Sequence, residues 1–228
     1  MAELTLEPTV AASKPDISQV VTEDDTPVDN LFSAKQQRLL VEPLYTSWQP
    51  NRSFVADANV GIFSSVSSPP IVPDMFLSLD VEIAEDWYAK EHRSYFVWEF
   101  GKMPEVVIEV VSNTKGEEAG RKLKRYAQMR VLYYQIYDPQ QLILDELTRL
   151  YELHVGEYVL KEELFLERVG LGLTLWEGVF EGREGQWLRW CDAEGQVLPT
   201  GAERAEQERE RAERLAEQLR ALGVEPEV

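Results

Sequence analysis

Residues 105–139 read EVVIEVVSNTKGEEAGRKLKRYAQMRVLYYQIYDP. Two short apolar runs, 106–111 and 132–137, flank a basic stretch. β-Branched residues dominate the first run and mark it as a buried strand. Within 117–129, Leu123 and Ala127 stand four apart with Tyr126 on the adjoining face, which predicts a helix. Strand, helix and strand in this order predict a parallel crossover. Glu109 sits in the middle of the first run. A carboxylate buried in a strand is strongly unfavourable unless a cation or a metal compensates it.

Working outward, Asp74 stands in a Pro73-Asp74 pair at the head of a further apolar run, 75–81, expected to be a strand. An Asp at one strand, a Glu within the next and lysines on the helix behind form a pattern suited to a divalent cation and phosphodiester hydrolysis. Asp74 and Glu109 would supply carboxylate oxygens, and Val110 a backbone carbonyl. Lys122 or Lys124 would stabilise negative charge or orient a water. The same residues also fit a structural arrangement, in which Asp74 caps a turn and Glu109 pairs with Lys122.

The rest of the chain frames this centre. Residues 1–28 mix Pro, Ser, Thr and acids without periodicity and read as a flexible leader. From Asp29 the spacing of Leu31, Phe32, Leu39 and Leu40 predicts a helix, capped by Asp29 or Ser33 and kinked or ended at Pro43. Residues 54–64 read as a strand and 64–73 as a loop. Residues 83–93 fit a short helix or a loop, and 95–100 a helix or a strand. Beyond Pro139, strands are expected at 142–147, 150–155, 158–161 and 187–191. The fold class is therefore α/β, with an added antiparallel β region.

The tail, 200–228, has a different composition, rich in Ala, Glu, Arg, Gln and Leu. Thr200 can cap a helix there and Gly223 can end it. Ala205, Ala212 and Leu219 fall seven apart, as do Glu208, Leu215 and Leu222. Glu208 interrupts the second row. The tail is either a solvated helix laced with charge pairs or a weak coiled coil that joins protomers into a homo-oligomer. Its seam buries little apolar area, so the helix is expected to project from the body and to be dispensable for folding.

The net charge is −18. Residues 1–28 hold one basic and six acidic residues and 201–228 hold five and eight, leaving 17 basic against 27 acidic between them. Such a body argues against broad, salt-driven binding of duplex DNA. A local cleft with a bound cation is still compatible with DNA. No apolar run reaches the length of a membrane span, and the first residues lack the pattern of a signal peptide. One cysteine, Cys191, excludes an intrachain disulfide, and a cytoplasmic setting is expected.

Further candidates are weaker. Glu42 on the first helix could add an acid, or be a solvated helix residue. Asp80 and Glu82 could border the site from the strand after Asp74, or lie on the surface. Gln135 could assist from its strand, or pack. His92 and His154 are isolated and lack zinc-ligand spacing. Cys191 has no base nearby in sequence, and neither a Gly-rich phosphate loop nor a Gly-x-Ser-x-Gly elbow occurs.

The block from Pro73 to Pro139 resembles the Uma-two family of restriction endonucleases, cyanobacterial in type, within the PD-(D/E)XK nuclease superfamily. The resemblance rests on Pro73-Asp74, on Glu105-Val106-Val107-Ile108-Glu109-Val110-Val111-Ser112, on Arg121-Lys122-Leu123 with Tyr126-Ala127, and on Tyr133-Tyr134 with Tyr137-Asp138-Pro139. The tail segment Gly-Ala-Glu-Arg-Ala-Glu is similar too. The resemblance implies a restriction-endonuclease-like domain over 29–199, a mixed sheet core with flanking helices. It implies Mg²⁺- or Mn²⁺-dependent cleavage of DNA, with Asp74 as first acid and Glu109 as second. The superfamily places a lysine two residues after the second acid, where this chain has Val111. The family's recurring helical lysine matches Lys122. The alternative function is a catalytically silent protein that keeps the fold and assembles through its tail.

Overall fold

The computed structural model describes residues 30–65, 69–86, 88–89, 92–114 and 117–223, so the leader expected over 1–28 lies outside the described residues. Helix α1 (Leu31–Thr46) is capped by Asn30, whose side chain accepts the Ser33 N–H at 2.9 Å. The cap is therefore neither Asp29 nor Ser33. Pro43 does not end the helix, which runs on to Thr46, and its carbonyl accepts the N–H groups of Ser47 and Trp48. A proline this close to the helix end removes one backbone bond and leaves the remaining turn intact.

The expected strand at 54–64 is two strands, β1 (Phe54–Asp57) and β2 (Ile62–Phe63). Asn59 between them takes a φ of 56°, which breaks the extended run. β3 (Met75–Leu79) follows. The described residues of 83–93 form irregular loop, turn and bend with a 3₁₀ residue at His92, and no α-helix. Residues 95–100 resolve into both alternatives, β4 (Tyr95–Phe96) and one helical turn, α2 (Val97–Phe100). β5 (Val106–Val110) leads to a π-helical turn, Glu118–Lys122, that runs into α3 (Leu123–Gln128) and then β6 (Tyr133–Tyr137).

The strand expected at 142–147 does not form. Asp138, fully buried, accepts the N–H groups of Leu142, Ile143 and Leu144 at 2.9, 2.8 and 2.9 Å. Three amides gathered on one carboxylate cannot also enter a strand ladder. The later strands are β7 (Thr148–His154), β8 (Glu157–Lys161), β9 (Phe165–Leu166), β10 (Leu171–Phe180) and β11 (Arg183–Cys191). β10 escaped the sequence reading because its glycines and its Trp-Glu pair interrupt the alternation.

The main sheet is mixed, in the order β1-β3-β5-β6-β7-β8. Only β5 and β6 run parallel in it, as the strand–helix–strand pattern predicts. A three-stranded antiparallel sheet, β11-β10-β9, is the added β region. Alternation divides the main sheet into two faces. Met75, Leu77, Val106, Ile108, Val110 and Tyr133 pack with Leu40 and Leu44 of α1 and with Leu188 and Trp190 of β11. Phe76, Val107, Val111, Tyr134 and Ile136 pack with Tyr126 of α3. Gln36 joins α1 to β11 as a strand would: its amide nitrogen donates to the Leu188 carbonyl at 2.7 Å and its amide oxygen accepts the Leu188 N–H at 3.1 Å.

The tail forms helix α4 (Gly201–Ala221), none of whose residues is buried. Thr200 and Glu203 make a reciprocal capping box at its start. That first turn is docked on the body. Arg189, 2% exposed, donates from both terminal nitrogens to Glu203 at 2.8 and 2.6 Å. Glu42 accepts the Gly201 N–H at 2.7 Å, and Arg204 donates to the Thr46 carbonyl. The helix is thus not dispensable as a whole, because its first turn neutralises a buried guanidinium. Truncation after Ala205 should leave the melting temperature unchanged. Truncation before Gly201, or Glu203→Ala, should cost about 2 kcal/mol, less than a fully buried pair because Glu203 is partly exposed. That corresponds to a fall of roughly 4–8 °C in calorimetry.

Candidate functional site

The register of β3 on β5 sets Met75 opposite Ile108 and Phe76 opposite Val107. One further step places Asp74 opposite Glu109. Asp74 shares a face with Phe76, and Glu109 with Val107 and Val111, so both acids lie on the α3 side of the sheet. Acids directly opposite each other across two strands repel, and the neighbouring elements carry what offsets this.

Asp74 is half-buried. One of its oxygens accepts the Val110 N–H at 2.7 Å, and the other accepts the Gln37 amide nitrogen, from α1, at 2.9 Å. The Gln37 side-chain oxygen accepts from Asn59 at 2.9 Å, so α1 and the β1–β2 turn both brace the Asp74 carboxylate. Glu109 is 1% exposed. Its Oε1 accepts the Tyr126 hydroxyl at 2.7 Å and its Oε2 accepts Lys122 Nζ at 2.9 Å. Lys122 also reaches Glu118 Oε1, at 3.3 Å. The wider π-helical turn brings Glu118 and Lys122, four apart, close to eclipsed. Glu118 is buried, and its Oε2 has no hydrogen-bond partner among the described residues.

Burial dominates the electrostatics. It pushes the Glu109 carboxyl up to about 8, opposed by the Lys122 ammonium and reinforced by the Asp74 charge. Burial also raises Asp74, against the Val110 N–H and Lys122, which favour its charged form. At Lys122 burial disfavours the ammonium, but the carboxylates of Glu109, Glu118 and Asp74 outweigh it and hold the amine above its ordinary range. The centre is thus a buried glutamate beside a half-buried aspartate, both more readily protonated than usual, next to a cationic amine.

Of the residues singled out in the sequence, the structure brings Asp74, Glu109 and Lys122 together. The N–H of Val110 binds Asp74 within the same group. Val111 points to the same face but is buried among apolar side chains. Lys124 is exposed. Glu42 is neither at the site nor a solvated helix residue, because it holds the N-terminus of α4. Asp80 lies past the end of β3, with a φ of 56°, and pairs with Arg52. Glu82 is exposed. Gln135 faces the opposite side of the sheet from Glu109, bonding the Ile136 carbonyl at 2.7 Å and the Thr148 hydroxyl. His154 is exposed, and Cys191 is a buried free thiol.

Sequence reading missed Gln37, Glu118 and Tyr126 as site residues. Tyr126 carried a signal, one helical turn beyond Lys122 and so on the same side of the helix. Gln37 carried none, since nothing local ties α1 to Pro73-Asp74. Among the described residues no three His, Cys, Asp or Glu side chains form a group that holds a metal by themselves. The donors that converge are two carboxylates and the backbone beside them. Such a set suits a hard cation that keeps waters and takes further oxygens from a phosphate.

A family model, Uma2, described as "Putative restriction endonuclease", matches residues 22–175, about two-thirds of the chain. Comparison with curated proteins and with solved structures gives no match. Among the described residues no helix is long and apolar enough to cross a membrane.

The raised Glu109 pKa fixes a pH dependence of stability. In the metal-free chain the protonated form is favoured by folding. Its contribution is present in full below the ordinary value of 4.5 and is lost as pH rises to about 8. Glu109→Gln keeps the neutral form at every pH. Urea unfolding should show the variant gaining stability relative to wild type between pH 5 and pH 8. A constant difference across that range would place the Glu109 pKa near its unfolded value.

Proposed function

The chain belongs to the Uma2 family, and on that premise we propose that it is a divalent-metal-dependent endonuclease that hydrolyses DNA phosphodiester bonds. The observation that carries the proposal is the acid pair, Asp74 and Glu109, on one face of adjacent strands with Lys122 Nζ 2.9 Å from Glu109. Asp74, Glu109 and the Val110 carbonyl would hold Mg²⁺ or Mn²⁺. All three donors are hard oxygens, and a site without His or Cys does not favour zinc. When bound, the ion supplies a water of lowered pKa and neutralises charge on the phosphate.

The chain's own groups prepare that chemistry. The Val110 N–H and Gln37 fix the plane of the Asp74 carboxylate, and Tyr126 fixes that of Glu109. Glu109 gives up its proton to become a ligand, so cation uptake near neutral pH is coupled to proton release. The Lys122 ammonium then stands beside the acids to stabilise charge that develops on the phosphate oxygens. Lys122 is thus the functional counterpart of the lysine absent at position 111. Catalysis is assigned to 29–199, with 200–228 as an appended tail that carries α4. Leu215, Leu219 and Leu222 are exposed on that helix and offer a seam for a homo-oligomer, which would pair two active sites on one duplex. The buried unpaired Cys191 suits a reducing cytoplasm.

A second reading is a catalytically silent protein of the same fold acting in assembly. It is favoured by one observation: all four oxygens of the acid pair already have hydrogen-bond partners within the chain. Each oxygen keeps a second lone pair, which separates the two readings experimentally. Calorimetry should detect Mg²⁺ or Mn²⁺ binding by wild type and none by Asp74→Ala or Glu109→Ala. With Mn²⁺ and plasmid DNA, Lys122→Met should lower the cleavage rate about 100-fold, while Lys124→Met stays within about threefold. Unaltered cation binding in both acid variants, or equal small effects of the two lysine variants, would favour the silent protein.

A further inference from the structure

One buried oxygen beside the acid pair has no role in the arrangement described so far. Glu118 is 7% exposed, and its Oε2 lacks a hydrogen-bond partner among the described residues. Its Oε1 accepts from Lys122 Nζ at 3.3 Å. An unpaired buried carboxylate oxygen destabilises a fold, and an apolar side chain in its place would not. The backbone holds Glu118 where it is: the Tyr134 hydroxyl, from β6, donates to its carbonyl at 3.0 Å. The ammonium of Lys122 therefore lies between two acids, 2.9 Å from Glu109 Oε2 and 3.3 Å from Glu118 Oε1. An ammonium has three N–H groups, and these two oxygens are its only acceptors among the described residues. The Lys122 side chain is 32% exposed, so it is not locked in the core.

We infer that Glu118 is a positioning residue that takes over the Lys122 ammonium when a divalent cation occupies the acid pair. The inference rests on the cation-binding reading of Asp74 and Glu109. A dication held by Glu109 and an ammonium hydrogen-bonded to the same carboxylate repel each other, strongly so where water is largely excluded. The ammonium relieves this by turning from Glu109 toward Glu118, a carboxylate it already touches. Glu118 then offers both oxygens, and the unpaired Oε2 gains its donor. Without Glu118 the cation would have to bind against the ammonium or drive it into solvent. With Glu118 the amine stays in the site, released from Glu109 and with an N–H left for a phosphate oxygen. The oxygen that is unpaired in the cation-free chain is thus the acceptor that the cation-bound chain needs.

The test measures Mg²⁺ binding by calorimetry, with the full chain, at one pH and without DNA. Glu118→Gln keeps the shape and removes the charge, and should weaken binding about tenfold. Glu118→Asp keeps the charge but withdraws it from the ammonium, and should weaken binding to a similar extent. Lys122→Met has no ammonium to displace and should bind at least as tightly as wild type. Adding Glu118→Gln to Lys122→Met should change the affinity by less than about twofold. Carboxylate ¹³C NMR follows the same event in the unmutated chain. The Glu118 resonance, assigned by its loss in Glu118→Gln, should move on Mg²⁺ addition in wild type and hold still in Lys122→Met. Wild-type affinity in Glu118→Asp beside a weakened Glu118→Gln makes Glu118 a remote charge and overturns the handover. An equal effect of Glu118→Gln with and without Lys122, or a stationary Glu118 resonance in wild type, overturns it as well. In those cases the hydrolytic reading survives if the Asp74 and Glu109 variants still lose the cation and wild type cuts DNA. If Lys122 and Glu118 couple as expected while wild type with Mn²⁺ cuts no DNA, the handover stands and the hydrolytic reading falls. No Mg²⁺ binding by wild type overturns both.

Discussion

One carboxylate in the middle of a buried strand governs the arrangement around it. Glu109 lies in β5, between β3 and β6 in the main sheet, and has almost no contact with solvent. Leaving it unpartnered would cost more than the burial of any neighbouring apolar side chain returns. Its partners come from one direction only. The β strand fixes the face on which the side chain emerges, and the crossover helix between β5 and β6 covers that face. Lys122 and Tyr126 therefore both descend from this helical segment, one to each oxygen. The acid dictates what the helix must carry, and the right-handed geometry of a parallel crossover dictates where the helix lies.

Asp74 is held by a different logic. Its register opposite Glu109 places two acids together, an arrangement that a purely structural sheet avoids. The chain does not relieve this by moving Asp74 away. It anchors the carboxylate to the Val110 N–H within the sheet and to Gln37 from α1, on whose other contacts the opposite face is built. Elements from both sides of the sheet thus converge on one point at the start of β3. Stability alone would be served as well by an apolar pair, so the convergence argues for a group whose charge is used.

Much of this was legible in the sequence, because the informative signals are local. A β-branched run gave β5 and an apolar run gave β6, the interrupting Glu gave the buried acid, and the basic stretch gave the crossover helix with Lys122 facing the acids. Pro73-Asp74 at the head of an apolar run gave the other acid, Asp74. What escaped depends on contacts distant in sequence or on side chains that override local pattern. Gln37 meets Asp74 across 37 positions, and Arg189 is met by Glu203 only because α4 returns to α1. Residues 142–144 have strand-like composition, but the buried carboxylate of Asp138 takes their amides first. Of the two roles open to Gln135, assisting from its strand or packing, the structure fits packing, because one step of alternation sends it to the other face.

In the proposed site the amine stands on the helix rather than on the strand. A lysine at position 111 would emerge on the same face as Glu109, held in place by the strand itself. Val111 instead fills that place with apolar contact, and the amine arrives from the helix above. A helical lysine has a longer and more mobile path to the acids, so its direction must be set by something other than the strand. Glu118 meets that need. It is buried, it stands one widened turn before Lys122, and it accepts from the ammonium at 3.3 Å. The π-helical turn aligns the two more closely than an ordinary turn, in which residues four apart are offset by about 40° and still pair. The ammonium beside Glu109 is thus also held by a second buried acid, within a local departure from α-helical geometry.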